Sequence, residues 1–220
     1  MGKTILTPEQ KKLLGIISKD KFITSQFFMT GGTVLSEFYF KHRYSEDLDF
    51  FSENKFDSKK VMSAISKIGD KLNLNKIEQQ NLTGQNTFYL YSTPKKFVKI
   101  DFSEFPFLHL GIFKKFNNLR ISSVEDIAVN KLHAITTRQR SRDYFDLYLC
   151  LKQLKWKHTD LLKNYRLKFD VILPIEQLIT SYVNVVQATD LPIFLGNAKW
   201  KEVKAFFLHE ANGLKGEILN

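Results

Sequence analysis

The segment Asp47-Leu48-Asp49-Phe50-Phe51 alternates acidic and apolar residues. On a strand, side chains alternate faces, so Leu48 and Phe50 require a core while Asp47 and Asp49 share the opposite face, about 7 Å apart. The segment therefore demands a sheet with one buried face and one face that meets a cation. Paired carboxylates, together with phosphate oxygens, are a usual way to hold Mg²⁺. Just upstream lies Met29-Thr30-Gly31-Gly32-Thr33. A Gly-Gly turn lets backbone N–H groups approach a phosphate closely. The two segments together suggest a metal-dependent site for a nucleoside triphosphate, although an Asp-x-Asp taken alone also fits an ordinary edge or surface strand.

The apolar alternation continues downstream. Lys76–Leu82, Thr87–Ser92 and Phe97–Ser103 read as strands, the first two parted by a turn at Thr83-Gly84-Gln85-Asn86. Phe27-Phe28-Met29 reads as a short strand, and a helix is expected from about Thr33 to Phe40. Two helix starts are marked by their caps. Thr7-Pro8-Glu9-Gln10 has the capping-box pattern with proline in the first turn, and Asp57 precedes Val61, Ile65 and Ile68 at helical spacing.

From Ser123 the pattern turns helical. Ser123-Val-Glu-Asp126 reads as a capping-box start for a helix reaching about Gln139. Further helices are expected over Tyr144–Lys155, Thr159–Asn164, Ile175–Gln187 and Lys199–Leu214. Strands in the first half and helices in the second predict an α+β fold. Its N-terminal lobe, residues 1–122, carries a small mixed sheet flanked by helices, and a helical C-terminal lobe spans residues 123–220.

On the strand through Lys99, Val98, Ile100 and Phe102 share one face while Phe97, Lys99, Asp101 and Ser103 share the other. If this strand neighbours the Asp47–Phe51 strand, Asp101 completes a three-carboxylate cluster, as a metal ligand or as general base for a hydroxyl. Lys131 projects at about 100° per residue into the apolar stripe Val124, Ile127, Ala128, Leu132 and Ile135. It is either a snorkelling lysine at the helix edge or a cation held inward for triphosphate oxygens. Asp143 and Asp146, three apart, face one way. Lys131, Arg138 and Arg142 are candidate partners, and a structural ion-pair network fits them as well as a catalytic role. No nucleophile elbow, Walker motif, zinc cluster or dinucleotide fingerprint is present.

The net charge is +10, and residues 131–168 hold ten Lys/Arg against three Asp. Such a segment is either a solvated face or a surface for a polyanion. No run approaches the roughly 20 apolar residues of a membrane span, so no membrane partner is expected. Cys150, the single cysteine, excludes an internal disulfide and fits a reducing compartment, with the cytoplasm expected.

In this order, these residues resemble the AbiEii/AbiGii-type nucleotidyltransferase toxins, relatives of the DNA polymerase β superfamily. The resemblance runs through Gly31-Gly32-Thr33-Val34-Leu35 with His42 to Phe50, then Lys99-Ile100-Asp101, then Asp126 to Ile135 continuing through Arg138 to Arg142-Asp143-Tyr144-Phe145-Asp146-Leu147. Val34 stands where alanine is commoner. The resemblance implies transfer of a nucleotide from an NTP to an acceptor hydroxyl, with RNA or tRNA the expected acceptor. Asp47, Asp49 and Asp101 would hold Mg²⁺ (or Mn²⁺). Gly31, Gly32 and Thr33 would cradle the triphosphate, Arg43, Ser45 and Lys131 would add donors, and Asp143 and Asp146 would be the last acidic pair. It also implies a toxin, of the kind found in phage defence, with a cognate antitoxin. Two other readings share the scaffold: an inactive nucleic-acid-binding protein, and a small-molecule nucleotidyltransferase of the antibiotic-modifying kind.

Overall fold

In the computed structural model, which describes residues 4–195 and 199–218, the chain forms two compact units. One comprises residues 1–107 and 112–123, the other residues 108–111 and 124–220.

The first unit is built on a seven-stranded mixed sheet. Its strands are β1 (Phe28–Thr30), β2 (Asp47–Ser52), β3 (Lys76–Leu82), β4 (Gln85–Thr93), β5 (Lys96–Glu104), β6 (Lys114–Phe116) and β7 (Leu119–Ile121). They lie in the order β3-β4-β5-β2-β1-β7-β6. The β2–β5 and β1–β7 pairs are parallel and the rest antiparallel. The alternation seen in the sequence sets the two faces. Leu48 and Phe50 of β2, Phe88 and Leu90 of β4, and Val98, Ile100 and Phe102 of β5 are buried. Phe102 is the hub of this core, with ring centroids 4.9 Å from Phe27, 5.2 Å from Phe50 and 6.0 Å from Phe88.

Helix α1 (Pro8–Ile17) starts as its capping box requires, with the Gln10 N–H donating to Thr7 and the Thr7 N–H donating to the Gln10 side chain. Helix α2 (Lys21–Gln26) carries an Asp20 cap, and β1 turns straight into the short helix α3 (Gly31–Val34). That helix continues as a π-helical turn over Leu35–Phe40 and ends at left-handed Lys41. Helix α4 (Ser58–Leu72) begins under Asp57, which accepts from the Lys59 N–H. It buries Val61, Ala64, Ile65 and Ile68 on one stripe.

The second unit is helical: α5 (Val124–Thr137), α6 (Ser141–Leu154), α7 (His158–Phe169), α8 (Ile175–Val183), a 3₁₀ turn over Asn184–Gln187, and α9 (Trp200–Ile218). Its aromatic centre joins Tyr144 of α6, Tyr182 of α8 and Phe207 of α9, with ring centroids 5.3 and 5.1 Å from Phe207. No helix among the described residues is long and apolar enough to cross a membrane.

Several element boundaries differ from the sequence expectation. Gln85 and Asn86 belong to β4, because Thr83-Gly84 alone closes the hairpin with Gly84 at φ 74°. The helix expected at Thr33 starts at Gly31. Helix α7 runs five residues past Asn164 to Phe169. The segment Ile175–Gln187 is α-helical only to Val183.

Replacing Phe102 with alanine removes the hub of three ring contacts. It should cost about 3–5 kcal/mol, read as a lower urea midpoint with an unchanged slope.

Candidate active site

Strand register brings the acidic residues together. Asp49 of β2 and Asp101 of β5 are direct partners across the parallel pair, and Asp47 faces Lys99 one step along the same strands. Thr30 of β1 pairs with Asp49, and Thr87 of β4 pairs with Asp101. A polar row, Thr30-Asp49-Asp101-Thr87, thus crosses four strands on the face opposite the aromatic core.

Three charges that a sheet would normally keep apart are held here by local partners. The Lys99 ammonium lies 2.6 Å from Asp101 Oδ2 and 3.6 Å from Asp47 Oδ2. Burial works against the charge on Lys99. The hydrogen bond to Asp101 and the charges of Asp47, Asp101 and Asp49 outweigh it and hold the lysine above its ordinary pKa. Asp101, nearly buried, also accepts from the Thr87 hydroxyl and from Gln85 Nε2 at 3.4 Å.

The glycine turn is tied to the same cluster. Gly31 sits at φ 81°, and a Cβ there would collide with the Asp49 carboxylate. A side chain at this position is excluded by both conformation and contact. The first N–H groups of a helix lack intrahelical partners, and Thr30 gives α3 no side-chain cap. The Thr33 hydroxyl donates to the Asp47 carbonyl, so this side chain positions the start of β2. Gln10, inside its capping box, donates Nε2 to the carbonyls of Ser45 (3.2 Å) and Glu46 (2.7 Å) and fixes the same approach. Arg43 is buried with its guanidinium donating to the Tyr44 carbonyl at 2.9 Å.

The donor set suits a hard divalent cation in kind: carboxylate oxygens, plus the buried Thr30 hydroxyl, which has no hydrogen-bond partner. As they stand, no three His, Cys, Asp or Glu side chains among the described residues are arranged to hold a metal. From the neighbouring row, Lys99 supplies the positive charge.

The remaining residues expected from the sequence lie in the helical unit. Lys131 does point inward, and its ammonium is 2.6 Å from Asp143 Oδ1 and 2.8 Å from Asp146 Oδ2. Arg138 Nε donates to Asp143 Oδ2 at 2.8 Å. Both carboxylates are fully buried. Burial pushes the Asp143 pKa up, but the charges of Lys131 and Arg138 outweigh it and hold the group below the usual carboxylate range. A second buried centre joins Asp126 to Lys168. Asp126 also accepts from the Leu110 N–H (2.9 Å) and Asn130 Nδ2 (3.1 Å). In the sequence Asp126 reads as a capping residue and as the head of the third family segment; its Lys168 partner lies 42 residues away.

Comparison with known proteins decides the class. Residues 14–207 match the family described as nucleotidyl transferase AbiEii toxin, type IV toxin–antitoxin system. The chain belongs to this family. It is a nucleotidyltransferase, and membership implies a nucleotide substrate and an antitoxin partner. The chain is 28% identical over 189 residues to the uncharacterized protein aq_aa25 of Aquifex aeolicus (strain VF5), covering 84% of this chain and 86% of that one. Two solved structures from Helicobacter pylori are similar in fold. JHP933 matches with a TM-score of 0.64 at 19% identity, covering 96% of this chain and 94% of that one. A putative nucleotidyltransferase matches at 0.60 and 21%, covering 98% and 99%.

Lys131→Met should expose the logic of the buried centre of this AbiEii-family chain. Removing one partner leaves carboxylates uncompensated and should cost about 3–5 kcal/mol near neutral pH. In the unchanged protein the depressed Asp143 pKa contributes stability above the unfolded value of about 3.9, lost as pH falls through the folded pKa. In the variant, the stranded carboxylates take up protons more readily. The stability gap between the two proteins should therefore narrow as pH falls toward about 4, measured as urea midpoints across pH. A gap independent of pH would contradict the assignment.

Proposed function

We propose that the chain moves a nucleotide from an NTP to a hydroxyl on RNA, with tRNA the leading acceptor, as the toxin of its pair in the cytoplasm. The observation that carries this reading is the lateral Asp49–Asp101 pair, with Asp47 one step along and Gly31 pressed against Asp49. An acceptor oxygen attacks the α-phosphorus, the bond to the β-phosphate oxygen breaks, and pyrophosphate leaves. Asp101 takes the hydroxyl proton, oriented by Thr87 and Lys99. Gly31 and Gly32 offer backbone N–H groups to the phosphates. Asp47, Asp49 and Asp101 would hold Mg²⁺ (or Mn²⁺), which when bound neutralises phosphate charge and acidifies the hydroxyl.

The family resemblance gives Lys131 to the nucleotide. Its ammonium is already shared between Asp143 and Asp146, so a phosphate at that lysine has two carboxylates to compete with. Those two aspartates then position the lysine.

Surface charge favours a polyanionic acceptor over a cationic amino sugar. Of the ten cations in residues 131–168, Lys131 and Lys168 are buried and the other eight are exposed, beside a single exposed acid, Asp160. Arg138 and Arg140 are partly neutralised, by Asp143 and Asp190. The charged side chain paired with Asp101 is itself cationic, Lys99, which makes a poor wall for an amino sugar.

Purified protein, each α-labelled NTP, Mg²⁺ and total RNA, followed by gel separation, tests the reading. Asp49→Asn or Asp101→Asn should lower label transfer to RNA about a thousand-fold while the melting temperature stays near that of the unchanged protein. Transfer at an unchanged rate in both variants would refute it.

A further inference from the structure

The polar rows of the sheet lead into an aromatic one. Moving along β5 on the carboxylate face, Asp101 is followed by Lys99 and then Phe97, whose partner on β4 is Tyr91. Tyr89, the partner of Lys99, stands between the rows. The three rings touch: Phe97 lies 5.5 Å from Tyr89 and 5.3 Å from Tyr91, centroid to centroid. Phe97 is 51% exposed. Three rings in contact on an open strand face form a small apolar patch that a planar partner can cover.

The surroundings indicate what that is. Lys95 is exposed in the turn that joins β4 to β5. Lys76 lies 5.9 Å from the centre of the Tyr91 ring, paired with Glu78, which in turn accepts from the Tyr91 hydroxyl at 3.0 Å. The apolar area is thus three rings edged by Lys76, Glu78 and Lys99, with Lys95 in the adjoining turn. The cations at its edge, Lys76 and Lys99, suit a polyanion. Ring faces flanked by cations on a sheet are the arrangement that binds unpaired nucleobases, with the bases stacking and the phosphates meeting the lysines.

We propose that Tyr89, Tyr91 and Phe97 form a stacking platform for the unpaired end of a nucleic-acid strand, one that leads its terminal hydroxyl toward Asp101. The proposal rests on the reading of this site as a nucleotidyltransferase with a nucleic-acid acceptor. From Phe97 to Asp101 is four residues of strand, about 13 Å. Stacked nucleotides advance about 3.4 Å each, so the platform meets bases about three or four nucleotides back from the reacting end. A blunt duplex end cannot offer unpaired bases there.

Phe97→Trp makes the platform its own reporter. Its tryptophan emission, taken as the difference from the unchanged protein with Trp156 and Trp200, should be quenched by a short unstructured RNA oligonucleotide. A blunt RNA duplex of the same sequence should not quench it. Phe97→Ala should bind the single strand roughly ten-fold more weakly, and Phe97→Trp should restore binding. Because Phe97 is exposed, the alanine variant should keep its melting temperature. Equal single-strand affinity in the alanine and unchanged proteins, or no emission change in the tryptophan variant at saturating RNA, overturns the platform. Absence of RNA binding by the unchanged protein does so too, as would be seen if the rings instead seat a protein partner. Label transfer to RNA, measured in parallel, keeps the two readings apart. Transfer that persists with the platform test negative sinks only the platform. RNA binding that depends on Phe97 with no transfer sinks only the chemistry.

Discussion

Two carboxylates side by side on neighbouring strands, Asp49 and Asp101, are the constraint around which the first unit is arranged. Like charges directly opposite in a sheet are destabilising. The fold answers with Lys99, which bridges Asp101 and Asp47, and with the Thr87 hydroxyl on Asp101. It also keeps Gly31 bare so that the Asp49 carboxylate has room. None of this improves the core, which lies on the other face around Phe102. The cluster is a local cost that the aromatic side of the same strands offsets.

Buried charge is handled differently in the helical unit. There Lys131 meets Asp143 and Asp146, and Lys168 meets Asp126, each with further hydrogen bonds. Such centres add little net stability over an apolar core, but they are expensive to break. They fix which faces of α5, α6 and α7 meet. They also leave the exposed surface of these helices strongly basic, because the buried cations are matched by buried acids.

Much of this was legible in residue order, for identifiable reasons. The Asp47–Phe51 alternation gave the strand and both of its faces, and helical angle set Lys131 in the apolar stripe while leaving open whether it snorkels or is held inward. Asp143 and Asp146 demanded a cation, and two of the three candidates, Lys131 and Arg138, provide it. What escaped depends on contacts between distant segments. The partnership of Asp126 with Lys168 spans 42 residues. The three-residue strands β6 and β7 and the six-residue helix α2 are too short for any period to emerge. Gln85 and Asn86 look like turn residues, yet a two-residue loop needs only Thr83-Gly84. The counter-charge role of Lys99 could have been read: it stands two residues before Asp101, on the same face.

We propose that Lys99 neutralises a carboxylate cluster that a divalent cation would otherwise balance. Melting Lys99→Met with and without Mg²⁺ tests it most directly. The account predicts that the variant melts lower than the unchanged protein without metal and is stabilised by Mg²⁺ markedly more than the unchanged protein is. The same Mg²⁺ response in both proteins would contradict it.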